Sequence, residues 1–309
     1  MLNNTIRTVM RMIMPDLSKQ MEAEGVFNFT DSTKAKENDK SYLHVINRNA
    51  DVSVFVFSGL DVLFAGMARF EFQKLFGEIG QDFNLVFFRD VSRTTYHLTP
   101  DGETGGLEFH LAELIRVKKE LGASYNVAIG SSTGGGAALY GGINADLDHV
   151  IAFGPMVTHE AYTNASMRFR AVFNLKKLFH EPMGYFELLA VSIAAGVLAF
   201  KLRRRIGEEN FVTPLEDFAT STRRPRTTVI YGRECPPDVY HAEALAQFPE
   251  VNTIPLETGR HNSPAWLKER GRLEGIMASE LLEAFQHVKD NTIMQSGLNA
   301  NHVEQEEMQ

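Results

Sequence analysis

Asn126-Val127-Ala128-Ile129-Gly130-Ser131-Ser132-Thr133-Gly134-Gly135-Gly136-Ala137-Ala138 is the stretch on which the fold turns. A short apolar run enters a glycine-lined turn, and small residues suited to a closely packed helix follow. Gly130, Ser132 and Gly134 fit the G-x-S-x-G pattern, in which a serine takes a strained position and small neighbours let strand and helix approach. The bland alternative is a tight connection without chemistry, so the order of the surrounding elements has to decide. Two other glycine readings fail on residue type. A phosphate-binding loop needs Lys and Ser/Thr after its last glycine, where Ala137-Ala138 stand. A dinucleotide fingerprint counted from Gly134 and Gly136 meets Leu139 at its third glycine.

Working outward, residues 52–57 are a nearly continuous apolar run, as in a strand covered on both faces, and end abruptly at Ser58-Gly59-Leu60-Asp61. A helical apolar spacing over 64–76, a strand at 83–88 and an amphipathic helix over 107–121 stopping at Gly122 give a β-α-β rhythm. Short branched and aromatic segments at 26–30 and 42–47 read as antiparallel opening strands. The long loop 91–106, with Arg93, Tyr96, His97 and Asp101, reads as an ordinary polar loop before it reads as a candidate binding loop, and Arg89-Asp90 with Arg93 reads as a local ion pair shaping that loop rather than as a site for an anionic substrate. Beyond the serine turn, strands are expected at 150–153, 227–231 and 251–256, with a short helix at 241–248 and a long one over 264–287. The alternation requires a mostly parallel sheet flanked by helices.

The rhythm lapses over 159–224. This insertion holds an apolar run at 186–200 followed by Lys201, Arg203, Arg204 and Arg205. At about fifteen residues the run is short of the ~20 that a spanning helix needs. A helical lid is therefore expected, and membrane association is a secondary reading that the length does not favour. The segments read as a lead-in at 1–23, a core of 24–158 with 225–289, the lid insertion at 159–224 and a polar, disordered tail at 290–309.

A chain of 309 residues with formal charge −8 lacks the basic surface that drives nucleic-acid binding. A small-molecule or acylated substrate is the expected partner. Its one cysteine, Cys235, excludes a disulfide framework and a Cys-rich zinc site and is read as a bystander. No continuous apolar run or small-residue cleavage site marks the start, so the expected location is cytoplasmic. The histidines do not fall at helical metal-ligand spacing and H-E-x-x-H is absent, so neither a metal nor another cofactor is expected.

Ser132, Asp238 and His261 would all project from the C-terminal ends of parallel strands, where open α/β sheets gather their ligands. A serine hydroxyl is a poor nucleophile near neutral pH without a base in hydrogen-bond reach, and that base needs an orienting carboxylate. Glu234 and Glu257 are rival carboxylates to Asp238.

In the order strand, serine turn, strand, insertion, strand, aspartate, strand, histidine, the chain resembles the α/β-hydrolase superfamily over roughly 26–287. The parts that carry the resemblance are Gly130 to Gly134, the Gly232-to-Asp238 loop and Gly259-Arg260-His261. The resemblance implies a Ser132-Asp238-His261 triad and a backbone oxyanion hole from Thr133 and from the loop at Gly59 or Leu60, with Leu60 taken as the second donor. Where the family usually has His-Gly, this chain has Ser58-Gly59. The expected activity is that of a serine hydrolase forming an acyl-enzyme at Ser132, or of an acyltransferase in a polysaccharide or secretion pathway. A catalytically silent binding protein of the same fold is the other reading.

Overall fold

The central branched and aromatic runs form strands of one sheet because their side chains have partners on both faces. The computed structural model of the protein describes residues 41–59, 72–79, 83–158, 213–286 and 288, with 179–181, 184–185, 188–189, 200, 202–207 and 210–211 between them. The lead-in, the strand expected at 26–30, most of the insertion with its 186–200 run, Leu60 and the tail lie outside these residues, and the helix expected at 64–76 lies largely outside them.

In chain order the elements are β1 (Leu43–Ile46), β2 (Val52–Phe57), α1 (Gln73–Glu78), β3 (Asn84–Phe88), α2 (Gly106–Leu121), β4 (Tyr125–Ser131) and α3 (Thr133–Asn144). Then come β5 (His149–Phe153), α4 (Pro214–Thr220), β6 (Arg226–Gly232), α5 (Pro236–Ala246), β7 (Val251–Leu256) and α6 (Ser263–Glu269). A last helix, α7, runs over 273–286. The sheet order is β1-β3-β2-β4-β5-β6-β7. β1 is antiparallel to β3, and each further pairing is parallel.

Period-two alternation sorts the core into two layers. Val52, Val54, Val56, Ile129 and Ile151 face Phe76, Leu267, Met277 and Leu281. Phe55, Phe57, Ala128 and Ala152 face Leu114, Leu139, Phe218 and Leu245. Thus α1, α6 and α7 cover one face and α2 to α5 the other. Each fully buried phenylalanine here contributes about 1.5–3 kcal/mol of transfer free energy before chain entropy is counted.

Register fixes where the chemistry gathers. Gly130 of β4 stands beside Phe57 of β2 and Ala152 of β5, while Ser131 pairs with Phe153 and Phe153 with Ile230. The loops leaving β2, β4, β5, β6 and β7 therefore leave one edge of the sheet together.

Two expected elements are corrected. The loop after β6 is shorter than expected: α5 begins at Pro236, so Asp238 lies in a first helical turn and not in a loop. Pro236-Pro237 explains this, since proline suits the first helical positions, where the missing N–H has no intrahelical partner. The single helix expected over 264–287 is two helices, because Gly271 at φ 63 turns the chain between α6 and α7.

Candidate active site

Ser132 joins β4 to α3 at φ 52 and ψ −118, a conformation that costs a non-glycine residue about 1–3 kcal/mol unless its surroundings impose it. Its surroundings do so. Its N–H donates to the Phe153 carbonyl at 2.8 Å, and its own carbonyl accepts from the N–H groups of Gly136 (3.2 Å) and Met156 (3.1 Å). The flanking glycines answer a steric demand. A β-carbon at Gly130 would lie 2.2 Å from the Gly134 carbonyl oxygen, and one at Gly134 would lie 2.2 Å from the Phe57 carbonyl oxygen. Strand β4, helix α3 and the end of β2 are packed too closely for any side chain at those two positions.

The structure brings together Ser132, Asp238 and His261. His261 Nε2 lies 2.8 Å from Ser132 Oγ, and His261 Nδ1 lies 2.6 Å from Asp238 Oδ1. Asp238 is fully buried, in the first turn of α5 where the helix end favours an anion, and its Oδ2 accepts from the Gly232 N–H at 3.4 Å. The rival carboxylates are elsewhere. The Glu234 side chain is exposed, and Glu257 pairs with Arg233 at 2.6 Å.

His261 is held by its loop. Asn262 caps α6, its Oδ1 accepting from the Ala265 N–H at 3.2 Å. Buried Arg260 places Nη1 2.6 Å from both carboxylate oxygens of Glu269. On the other side, Glu181 of the insertion accepts from Thr258 Oγ1 at 2.5 Å and from the Gly259 N–H at 2.7 Å. Sequence reading did not single out Glu181, and no local signal marks it.

Thr133, the expected oxyanion donor after the serine, is the buried first residue of α3, at the end where helical N–H groups lack intrahelical partners. Leu60 is outside the described residues, but Gly59 before it is against the turn: a β-carbon there would lie 2.9 Å from the Ser131 carbonyl oxygen. Buried Tyr96 positions this loop, donating its hydroxyl to the Ser58 carbonyl at 2.9 Å. Tyr96 comes from the candidate binding loop, whose core is Asp90. Asp90 accepts from Ser92 Oγ (2.8 Å) and from the N–H groups of Thr94 (2.7 Å) and Tyr96 (3.2 Å). Burial raises the Asp90 pKa. Beside Thr133, a small cavity is lined by Thr95, His97, Leu107, Met156, Thr158 and Pro214.

A second histidine lies near the acid. Fully buried His241 accepts from the Val157 N–H through Nδ1 at 3.4 Å, and burial lowers its pKa to about 4. It is therefore neutral near pH 7 and brings no cation to compete with His261 for Asp238.

No family model matches the chain, and no curated protein matches it by sequence. Solved structures do match. MenH from S. aureus, of α/β-hydrolase fold, is 12% identical and aligns over 79% of this chain and 98% of its own with a TM-score of 0.53. A protein of unknown function from Staphylococcus aureus subsp. aureus Mu50 is also 12% identical, over 79% of this chain and 93% of its own, with a TM-score of 0.54. The sheet order, the antiparallel edge strand β1, the helix layers and this likeness agree: the chain has the α/β-hydrolase fold.

Proposed function

We propose that this protein is a serine hydrolase acting on an ester-like acyl substrate through an acyl-enzyme at Ser132. The observation that carries the reading is the hydrogen-bonded series Ser132 Oγ, His261 Nε2, His261 Nδ1, Asp238 Oδ1, with separations of 2.8 and 2.6 Å. In the proposed reaction Ser132 Oγ attacks the carbonyl carbon while Nε2 takes the hydroxyl proton, and Asp238 stabilises the imidazolium that forms. The oxyanion is held by the Thr133 N–H and by an N–H of the loop after β2. Collapse expels the leaving alcohol, which receives the proton from Nε2. Water, deprotonated by the same nitrogen, then releases the acid, whereas an acceptor alcohol in its place gives acyl transfer.

The insertion at 159–224 serves as the lid in this reading. Glu181 on the His261 loop and Leu188 packed against Cys235 support a cover at this end of the sheet. Among the described residues no helix is long and apolar enough to cross a membrane.

Hydrolysis of an activated aryl ester tests the proposal. Ser132→Ala should reduce turnover to the small residue left by binding and the oxyanion donors, while thermal unfolding stays cooperative. Full activity in that variant removes Ser132 from the mechanism and overturns the reading, and a wild-type chain without hydrolysis overturns it in favour of a binding protein.

A further inference from the structure

Cys235 stands at the N-cap of α5, fully buried and in no disulfide. The short turn from β6 into α5 carries it to the site, so that ligand atoms of Cys235, Asp238 and His261 all lie within 4.8 Å of one another. Thiolate, carboxylate and imidazole are the side-chain groups that bind Zn2+, and a thiolate selects softer cations over Mg2+ and Ca2+. We propose that these three residues form a site for a thiophilic divalent cation, Zn2+ or Cd2+, whose binding switches Ser132 off.

The geometry says how. Ligands bound to tetrahedral zinc at about 2.0–2.3 Å stand ~3.3–3.8 Å apart. The Nδ1-to-Oδ1 distance of 2.6 Å must therefore open by roughly 0.7 Å, and the hydrogen bond between Asp238 and His261 is lost. The thiol releases its proton to solvent. The imidazole stays neutral by moving its proton from Nδ1 to Nε2, leaving the Nδ1 lone pair for the cation. Nε2–H then faces Ser132 Oγ at 2.8 Å as a donor, with no lone pair to accept the serine proton. The inhibition rests on the catalytic reading of Ser132 and His261, whereas the binding does not.

The full chain titrated with Co2+ should develop thiolate-to-cobalt charge-transfer absorption that Zn2+ displaces and that Cys235→Ala lacks. Zn2+ should slow labelling of Ser132 by a fluorophosphonate, reversibly on adding EDTA. Cys235→Ala, labelled at the wild-type rate without metal, should need at least about tenfold more Zn2+ for the same effect, the lower bound seen for loss of outer-shell partners alone. Cys235→Ser keeps the side-chain volume while offering a poor zinc ligand, and should behave likewise if the alanine variant folds badly. Absence of the cobalt band in the wild type, or equal zinc sensitivity with and without the thiol, overturns the proposal. Wild-type protein that shows the band but is never labelled upholds the metal site and overturns the inhibition together with the triad reading.

Discussion

The serine turn and the histidine loop meet at 2.8 Å, yet they are built by opposite means. Ser132 owes its position to packed backbone: Gly130 and Gly134 admit the close approach of β4, α3 and the end of β2, its carbonyl accepts from the Gly136 and Met156 N–H groups, and its N–H donates to the Phe153 carbonyl. His261 owes its position to side-chain groups. Glu181 reaches the loop from 77 residues upstream of Thr258, Asp238 comes from α5, and Glu269 on α6 holds Arg260. Ser132 is thus fixed by the backbone of neighbouring strands, whereas His261 stays in place only while those side chains hold it. Damage to the turn should therefore appear first as lost stability, and damage to the loop as lost rate in a folded protein.

The largest expected effect breaks the loop's chemistry alone. Asp238→Asn removes the buried charge and favours the wrong imidazole tautomer, so kcat should fall by as much as roughly 10⁴ with little change in the urea midpoint. Next is a break in the turn. Gly134→Ala sets a β-carbon against the Phe57 carbonyl and should cost about 3 kcal/mol or more, read as a lower urea midpoint at unchanged slope. The smallest effect sharpens the contrast. Glu181→Gln weakens two hydrogen bonds to the histidine loop by removing their charge, and kcat/KM should drop roughly tenfold while the melting temperature barely moves.

The same division explains what could be read from the sequence. The serine turn was legible because its requirements are local: two glycines, one strained serine and small residues behind them. The strands were legible because runs such as 52–57 are apolar but for Ser53 and all buried. Asp238 was legible as a residue but not as part of a helix, although Pro236-Pro237 carried a start signal for α5. The break at Gly271 was likewise present in the sequence and was outweighed by the apolar spacing around it. Glu181, the bond from Tyr96 to the Ser58 carbonyl and the approach of Cys235 to Asp238 and His261 could not be read at all. Each depends on which loops share a sheet edge, and that is set by strand order rather than by any neighbouring residue.

The central claim is that Ser132 is a nucleophile activated by His261. It is tested most directly by reacting the full chain with a fluorophosphonate and locating the modified residue by mass spectrometry. The account predicts one phosphonyl group, on Ser132, added at a rate that falls on acidification as the base gains its proton and that collapses in His261→Ala. A label on another residue, or a Ser132 label formed as fast without the imidazole as with it, would contradict the account.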